Sequence, residues 1–222
     1  MASTAADYHH GNLRQSLLDA SLRLLDSEGV EALSLRRLAE EVGVSRQAPY
    51  HHFRDKQALL AAIGEQGFAL LGQLQTRVTD DVTLSLNERL YRAVLGYLNF
   101  ALDHHALYRL MFGQALWRAE QASSDTDEFQ RYAKDCFRQY VQLFDLLKQA
   151  GELPAEENSL RLAQLLWAAL HGMAQLAADG VFVKRDDLAE IARYSLARFA
   201  SNRGCGRWPP GLTLEPLRYA LL

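Results

Sequence analysis

Three consecutive residues, Arg46, Gln47 and Ala48, carry side chains that can distinguish the edges of DNA bases. An arginine can make a bidentate contact to guanine and a glutamine to adenine, while an alanine methyl can touch thymine. Each such contact discriminates between bases by about 1–3 kcal/mol. Donors suited to phosphate oxygens follow at Tyr50, His52 and Lys56. The pattern therefore favours base reading by the first three residues and anchoring by the other three.

A predicted helix pair over residues 34–53 must position these side chains. Ser34 is a typical N-cap for a helix over residues 35–42. After a tight turn, a third helix of the chain is expected over about residues 46–53. The second helix of such a pair can enter a major groove about 12 Å wide and present its N-terminal side chains to the bases.

The turn between these two helices has the residue types that a close helical corner requires. Ala39 is small enough to let the helices approach, Gly43 tolerates left-handed backbone, and Val44 can fill the corner. Such turns also occur in helix pairs that bind nothing, so the turn alone leaves a purely structural hairpin open. Beyond the pair, Asp55 is expected to cap a longer helix over residues 56–76.

Hydrophobic periodicity predicts that the rest of the chain is helical as well. Hydrophobic residues make up 49% of the 222 residues, which is enough for a substantial core. They recur at spacings of three and four, and no segment shows the alternation of a half-buried strand. The fold class is accordingly all-α. Further helices are predicted over residues 12–27, 85–103, 104–112, 126–149, 159–178 and 186–200.

Pro49 lies in the first turn of the predicted third helix. A missing N–H there removes at most one intrahelical bond, so the interior penalty of about 3 kcal/mol does not apply in full. We therefore expect a short, stiff first turn with residues 46–48 at its tip.

Charge and motif content argue against several other classes of protein. The net charge of −3 disfavours a broadly cationic surface, although a local basic patch can still bind DNA. No G-x-S-x-G, phosphate-loop or H-E-x-x-H motif occurs, so an enzyme is not expected. Polar residues interrupt the apolar run at 160–178, and the first residues lack a signal-peptide pattern. We expect a cytoplasmic protein with no membrane partner.

Histidine and cysteine placement does not favour a metal site or a cofactor. Three adjacent histidine pairs begin at residues 9, 51 and 104. Adjacent residues on a helix point about 100° apart, so a helical pair cannot easily share an ion. The first pair is expected in an N-terminal arm that can touch the DNA backbone. Cys136 and Cys205 stand outside any C-x-x-C pattern and are expected to be reduced thiols.

Residues 28–60 as a whole resemble the DNA-binding domain of the TetR family of bacterial transcriptional regulators. The similarity extends through the helix pair to the run Tyr-His-His-Phe-Arg-Asp-Lys at residues 50–56. It implies an all-helical homodimer with an N-terminal three-helix helix-turn-helix domain and a C-terminal helical domain for ligand binding and dimerisation. It also implies repression as the usual activity, and contact of Arg36 with DNA. Where the family leads one to expect a bulky aliphatic residue, this chain has Pro49.

The resemblance divides the chain into three parts. The DNA-binding domain is expected over residues 11–71, with the helix-turn-helix at 34–53. The ligand-binding and dimerisation domain follows over 72–202, and an extended tail rich in glycine and proline occupies 203–222. The residues expected to contact DNA are Arg36, Ser45, Arg46, Gln47, Ala48, Tyr50, His52 and Lys56.

A second, shorter pattern, Trp167-x-x-x-His171-Gly172, resembles the motif of a TetR-like subgroup named for Trp-His-Gly. Trp167 and His171 share one helix face, where they can either line a ligand pocket or form ordinary core. Aromatic residues in the same half can enclose a pocket for a small apolar or aromatic ligand. The predicted ligand-binding residues are Tyr97, Phe100, Met111, Phe112, Trp117, Phe137, Tyr140, Phe144, Trp167 and His171.

The predicted helix over residues 159–178 is apolar nearly all round, so it needs cover on two sides. One side can face the core, and the other can pack against a second copy of the chain together with the last helix. Cover by the tail over 203–222 is the alternative. The predicted dimer-interface residues are Leu188, Ile191, Ser195, Leu196 and Phe199.

Together these patterns predict a transcriptional regulator that binds a palindromic double-stranded DNA operator as a homodimer and is released by a small ligand. The helix over residues 56–76 is expected to couple ligand binding to the DNA-binding domain. The alternative is a TetR-like DNA-binding protein without a small-molecule ligand, regulated by a protein partner or acting structurally. Neither interpretation requires a cofactor, a metal or a catalytic residue.

Overall fold

All regular secondary structure in the described part of the chain is helical. The computed structural model describes residues 13–117 and 124–200. Short 3₁₀ turns occur at Val30–Ala32, Ala48–His51 and Arg185–Asp187. The prediction of an all-α fold is confirmed. The α-helices are α1 (Leu13–Glu28), α2 (Leu35–Val42), α3 (Lys56–Thr79), α4 (Leu86–Asp103), α5 (His105–Met111), α6 (Gln114–Trp117), α7 (Ser124–Gln149), α8 (Ser159–Ala178) and α9 (Leu188–Ala200).

Side-chain caps set the starts of the longer helices. At α4, Ser85 Oγ accepts a hydrogen bond from the Glu88 N–H, and Glu88 Oε2 accepts one from the Ser85 N–H at 3.1 Å. The bond from the Ser85 N–H, followed by one from the Ser85 hydroxyl, lowers the pKa of the Glu88 carboxyl. At α8, Asn158 Oδ1 accepts from the Arg161 N–H at 3.1 Å. Such caps satisfy backbone donors that have no partner within the helix.

The first compact unit contains the described residues 13–68, 106–117 and 124–131. Within it, α1 packs against α2, and both contact the 3₁₀ turn Ala48–His51. Apolar residues recurring at helical spacing supply the packing, so the polar faces of α1 and α2 remain exposed. Its fully buried side chains include Leu17, Leu33, Leu38, Leu59 and Ile63.

The second compact unit contains the described residues 69–105 and 132–200. Within it, α4 packs against both α8 and α9, and α8 packs against α9. Tyr97 and Leu98 on α4 are fully buried, and Ala163 on α8 and Leu188 on α9 are buried as well.

Several element boundaries differ from the sequence prediction: α3 extends to Thr79 instead of residue 76, and α7 begins at Ser124 instead of residue 126. The helix expected over residues 104–112 ends at Met111, and a separate short helix, Gln114–Trp117, follows. The last helix begins at Leu188, because residues 185–187 form a 3₁₀ turn. The tail over residues 203–222 and the histidine pair at residue 9 lie outside the described residues.

Candidate nucleic-acid interface and ligand region

Both ends of α2 are capped as the sequence predicts. Ser34 Oγ accepts a hydrogen bond from the Arg37 N–H at 3.2 Å. At the other end Gly43 has left-handed backbone with φ of 75°, a conformation that favours glycine. The Val44 N–H then donates to Ala39 O at 2.9 Å. These bonds fix the corner that leads into the recognition segment.

The recognition segment is a 3₁₀ turn, Ala48–His51, which corrects the predicted α-helix. Two of its backbone bonds span three residues: the Tyr50 N–H donates to Gln47 O at 3.1 Å, and the His52 N–H donates to Pro49 O at 3.0 Å. The Phe53 N–H donates to the same Pro49 O at 2.9 Å, which is a single bond of the α-helical type at the end of the segment. Pro49 is buried and has no N–H, so the α-type bond at this position cannot form. The segment is accordingly wound more tightly than an α-helix.

The residues predicted to contact DNA all lie in the first unit. Two of them, Ala48 and Lys56, are half-buried. The others lie on the surface, and Tyr50 is 51% exposed although its side chain is large and partly apolar. The exposed members of the set are Arg36, Ser45, Arg46, Gln47, Tyr50 and His52.

Glu40 forms ion pairs with two of these arginines. Glu40 Oε1 lies 3.6 Å from Arg36 Nε and 3.7 Å from Arg46 Nη2. All three side chains are more than half exposed, so each pair contributes no more than about 1 kcal/mol. An approaching phosphate must displace the Glu40 carboxylate from both guanidinium groups. An open groove of about 620 Å³ borders this face, lined by Ser34, Arg36, Arg37, Glu40 and Glu41.

Asp55 caps α3 beside the recognition segment, as predicted. Its Oδ1 accepts from the Ala58 N–H at 2.8 Å, and its Oδ2 accepts from Arg54 Nε at 2.9 Å. The Ala58 bond, followed by the Arg54 bond, holds the pKa of the Asp55 carboxyl below its ordinary value. Lys56 is the first residue of α3, so its ammonium group lies at a helix N-terminus.

Arg14 is a further cationic residue of this region that sequence reasoning missed. It is exposed near the start of α1, and its Cζ lies 5.5 Å from the centroid of the Phe53 ring. Phe53 lies two residues after the recognition segment and is buried. The two residues are far apart in sequence, so only the packing of α1 on this segment brings the charge here.

Four aromatic rings predicted to line a ligand site come together in the second unit. The Trp167 ring on α8 lies 5.7 Å from Tyr97, 5.3 Å from Phe137 and 6.0 Å from Tyr140, centroid to centroid. Tyr140 Oη donates to Ala93 O at 3.3 Å, which orients α7 against α4. Trp167 and Phe137 are half-buried, and Tyr97 and Tyr140 are buried.

The remaining predicted ligand residues of the second unit are Phe100, Phe144 and His171. Phe100 and Phe144 are buried, and the Phe100 ring lies 5.2 Å from the His104 ring. His171, one turn after Trp167, is half-buried, and its burial lowers the pKa of the imidazole. The imidazole is therefore less readily protonated in the folded chain.

Three other predicted ligand residues belong to the aromatic packing of the first unit. The Phe112 ring lies 5.4 Å from the Phe68 ring. Trp117 Nε1 donates to Met111 O at 2.7 Å, while 45% of the Trp117 side chain stays exposed. Met111 is fully buried. The ten predicted residues therefore divide into seven in one unit and three in the other.

The residues predicted for a dimer interface on α9 differ in exposure. Leu188 and Leu196 are buried within the chain, whose α9 packs against α4 and α8. Ile191 and Ser195 are half-buried. The side chain of Phe199 lies outside the described residues.

An exposed apolar stripe lies instead on α8, at residues spaced three and four apart. Leu165 and Leu176 are 57% and 41% exposed, and Ala168 between them is also exposed. A Cβ on Gly172 would meet no atom of the described chain within 4 Å. We call Leu165, Ala168, Gly172 and Leu176 the α8 stripe. Sequence reasoning recognised that this helix was apolar nearly all round but could not tell which side was covered.

Metal-binding clusters and membrane-spanning helices are both absent from the described parts of the chain. Among residues 13–117 and 124–200, no three histidine, cysteine or acidic residues are grouped as metal ligands would be. In those ranges, too, no helix has the length and apolar character to cross a membrane.

A capped short helix, a glycine corner and an exposed recognition segment, carried by an all-helical chain, define a helix-turn-helix DNA-binding protein. Residues 17–63 match the family described as bacterial regulatory proteins, tetR family, and residues 90–199 match the tetracyclin repressor-like C-terminal domain. The transcriptional regulator AcrR of Shigella flexneri is 30% identical over 169 residues, which cover 73% of this chain and 76% of AcrR. The chain therefore belongs to the TetR family of DNA-binding transcriptional regulators.

Solved structures share the fold along most of the chain. A Rhodococcus sp. RHA1 protein of unknown function is 32% identical, with a TM-score of 0.75 over 88% of this chain and 97% of its own. AibR, in a complex with isovaleryl coenzyme A and operator DNA, is 18% identical. Its TM-score is 0.59 over 83% of this chain and 96% of its own, so this likeness concerns the fold alone.

Proposed function

We propose that the protein is a cytoplasmic repressor that binds a palindromic operator as a homodimer and leaves DNA when a small ligand binds. The DNA-binding proposal rests on a row of exposed side chains in the 3₁₀ turn Ala48–His51 and just before it. There Arg46 and Gln47 offer base-reading side chains, and Tyr50 offers a hydroxyl beside them. Capping at both ends of α2 holds this row in place.

Individual roles follow from residue type and exposure. Arg46, Gln47 and the methyl of Ala48 read base edges in the major groove. Phosphate contacts come from residues around the segment and from both neighbouring helices. We assign this second role to Arg14, Arg36, Ser45, Tyr50, His52 and Lys56.

Dimerisation is assigned to the α8 stripe. Two copies of a stripe with small residues between leucines can pack closely about a twofold axis. A palindromic operator then presents one half-site to each copy, with half-site centres about 34–36 Å apart. This assignment places DNA binding in residues 11–71 and dimerisation in residues 72–202.

Ligand control is assigned to the second unit, around Trp167. AibR, which has the same fold, was crystallised with both an acyl-coenzyme A and operator DNA. The helix α3 contributes residues to both units, so it is the element that can couple them. The protein must have one conformation that binds the operator and another that does not. A ligand releases DNA only if it binds the second conformation more tightly than the first. The Trp167, His171 and Gly172 pattern supports membership of the Trp-His-Gly subgroup.

Selection from random duplex oligonucleotides tests the DNA-binding proposal. We expect the purified protein to enrich a palindrome, and Gln47→Ala to relax preference at one base position in each half-site by about 1–3 kcal/mol. Gln73→Ala is the control, because Gln73 is an exposed glutamine of α3 in the second unit. Enrichment of no sequence, or relaxed preference in both variants alike, would contradict the assigned reading residues.

Light scattering tests the dimer. Gly172→Arg should convert the dimer to a monomer, because a long charged side chain would enter the α8 stripe. Gly96→Arg is the matched control, since Gly96 on α4 is also half-buried with open space around its Cβ position. A dimer that survives Gly172→Arg but not Gly96→Arg would move the interface to α4.

A further inference from the structure

Gln75 on α3 is a buried side chain whose amide has no partner. It is 2% exposed, and neither its Oε1 nor its Nε2 has a hydrogen-bond partner among the described residues. Helical spacing puts Gln75 one turn after Leu71, which is fully buried. Both the donor and the acceptor of this amide are therefore buried on the covered side of α3. Buried polar groups in proteins are nearly always paired, so a group like this needs an explanation.

A second incompletely satisfied amide lies on the neighbouring helix α7. Gln139 Nε2 donates to Gly72 O at 3.4 Å and to Thr76 Oγ1 at 3.1 Å, so it holds α7 against the turn of α3 that contains Gln75. Gln139 Oε1 is buried and lacks a hydrogen-bond partner in the described chain. Gln75 on α3 and Gln139 on α7, two helices of the same unit, thus each carry amide atoms without a partner along this contact between the helices.

The surroundings of these amides favour an uncharged occupant. Cys136 Sγ would lie 3.2 Å from a Cβ on Gly72, and burial raises the pKa of this thiol to about 12. The thiol is therefore neutral at physiological pH. Among the described residues, the buried polar side chains are the uncharged Ser21, Gln75, Asn99 and Ser159. A charged ligand group would find no buried counter-charge from this set.

We infer that Gln75 is the polar anchor of an effector site in the second unit, and that the effector is uncharged and carries a hydrogen-bond donor beside an acceptor. An amide or lactam has this pattern. Its N–H can donate to Gln75 Oε1 while its carbonyl accepts from Gln75 Nε2. A carboxylate has no donor and would leave Oε1 unpaired, and a ketone has the same defect. This inference rests on the proposed ligand control and names the chemistry of the ligand.

Calorimetry without DNA tests the anchor with three probes of similar size: benzamide, acetophenone and benzoate. The wild-type protein should bind benzamide about tenfold more tightly than acetophenone, because only the amide satisfies both atoms of Gln75. Benzoate should bind more weakly than benzamide. Gln75→Met should abolish the preference for benzamide. The control Gln73→Met makes the same change at an exposed position of α3 and should retain the preference.

Thermal melting gives an independent readout without any probe. Gln75→Met removes an unpaired amide, so the variant should melt about 2–4 °C above the wild type, whereas Gln73→Met should not shift. Gln75→Leu provides a second apolar variant if the methionine chain fails to fold. A lower melting temperature in both Gln75 variants would show that the amide is paired within the chain and would overturn the inference.

The binding and DNA-release experiments separate the anchor role of Gln75 from the proposed regulation. Equal binding of benzamide and acetophenone, or no binding of benzamide at millimolar concentration, overturns the anchor role of Gln75. Release from DNA is measured separately, by adding benzamide to the complex with the selected oligonucleotide. A preference for benzamide that depends on Gln75 but does not release DNA would retain the site and refute the proposed regulation.

Discussion

Replacing Glu40 by glutamine should strengthen DNA binding by freeing two arginines at once. In the folded chain, Glu40 Oε1 lies 3.6 Å from Arg36 Nε and 3.7 Å from Arg46 Nη2. Both guanidinium groups must leave the carboxylate before they can contact phosphate or a base. Glu40→Gln keeps the size of the side chain and removes the charge.

The expected gain follows from the distances and the exposure. Two unit charges about 3.6 Å apart in water attract each other by about 1 kcal/mol, and exposed pairs retain about 0.2–1 kcal/mol of this in measurements. Two pairs therefore sum to about 0.4–2 kcal/mol, or about twofold to thirtyfold in affinity. The gain should shrink as salt is raised, because the Debye length falls to about 10 Å at 0.1 M.

Fluorescence anisotropy with the selected oligonucleotide, over a series of salt concentrations, measures this gain. Glu41→Gln is the control, because it changes the net charge equally one position further along α2, on the same groove. If Glu41→Gln strengthens binding as much as Glu40→Gln, the effect is one of overall charge and the reasoning from the two ion pairs fails. Weaker binding by Glu40→Gln would show that the carboxylate orients the arginines for DNA.

Three further predictions concern single residues. Lys56→Ala should weaken binding to all DNA sequences about equally and lower the salt slope by about 1, since one phosphate contact is lost; an unchanged slope in a salt titration would exclude Lys56 from the phosphate set. Pro49→Leu restores a backbone N–H, so the unfolding free energy should change by less than about 1 kcal/mol. Operator affinity should fall, because the segment can then relax from the 3₁₀ turn and displace residues 46–48. Equal affinity in the same anisotropy assay would show that the 3₁₀ geometry is not required. Burial lowers the pKa of His171 in the folded chain below its ordinary value of 6.5. As the pH falls through about 6.5, the imidazole therefore takes up a proton more readily in the unfolded chain than in the folded one, and the folded chain loses stability. His171→Gln should reduce the drop in melting temperature between about pH 7.5 and about pH 5.5, and an identical drop in wild type and variant would contradict this.

Local signals in the sequence were sufficient to predict the helix caps and the turn around the recognition segment. Ser34, Gly43 and Asp55 each act through backbone groups within four residues, so their capping roles follow from residue type and spacing alone. The missing N–H of Pro49 was equally visible in the sequence. Its consequence, a 3₁₀ turn in place of an α-helix, also depends on the burial of the proline ring by other helices.

Features that depend on distant packing could not be predicted from the sequence. Leu188 and Leu196 have the spacing of an apolar face, but only the positions of α4 and α8 show that this face is internal. The contact of the Arg14 guanidinium with the Phe53 ring forms only when two segments that are remote in sequence pack together. Gln75 is one of several glutamines on α3, and its sequence neighbours do not show that its amide is buried without a partner.

The buried thiol of Cys136 makes the opening of the second unit measurable by chemical labelling. Alkylating reagents attack the thiolate, and with a pKa of about 12 only about one molecule in 10⁵ carries it at pH 7. The sulfur is also covered in the folded chain, so modification must await an excursion that separates α7 from α3. In a Cys205→Ser background, the alkylation rate followed by mass spectrometry reports the free energy of that excursion. Adding an effector or an operator should change the alkylation rate of Cys136. The natural cysteine is itself the probe, so no label has to be introduced by mutation.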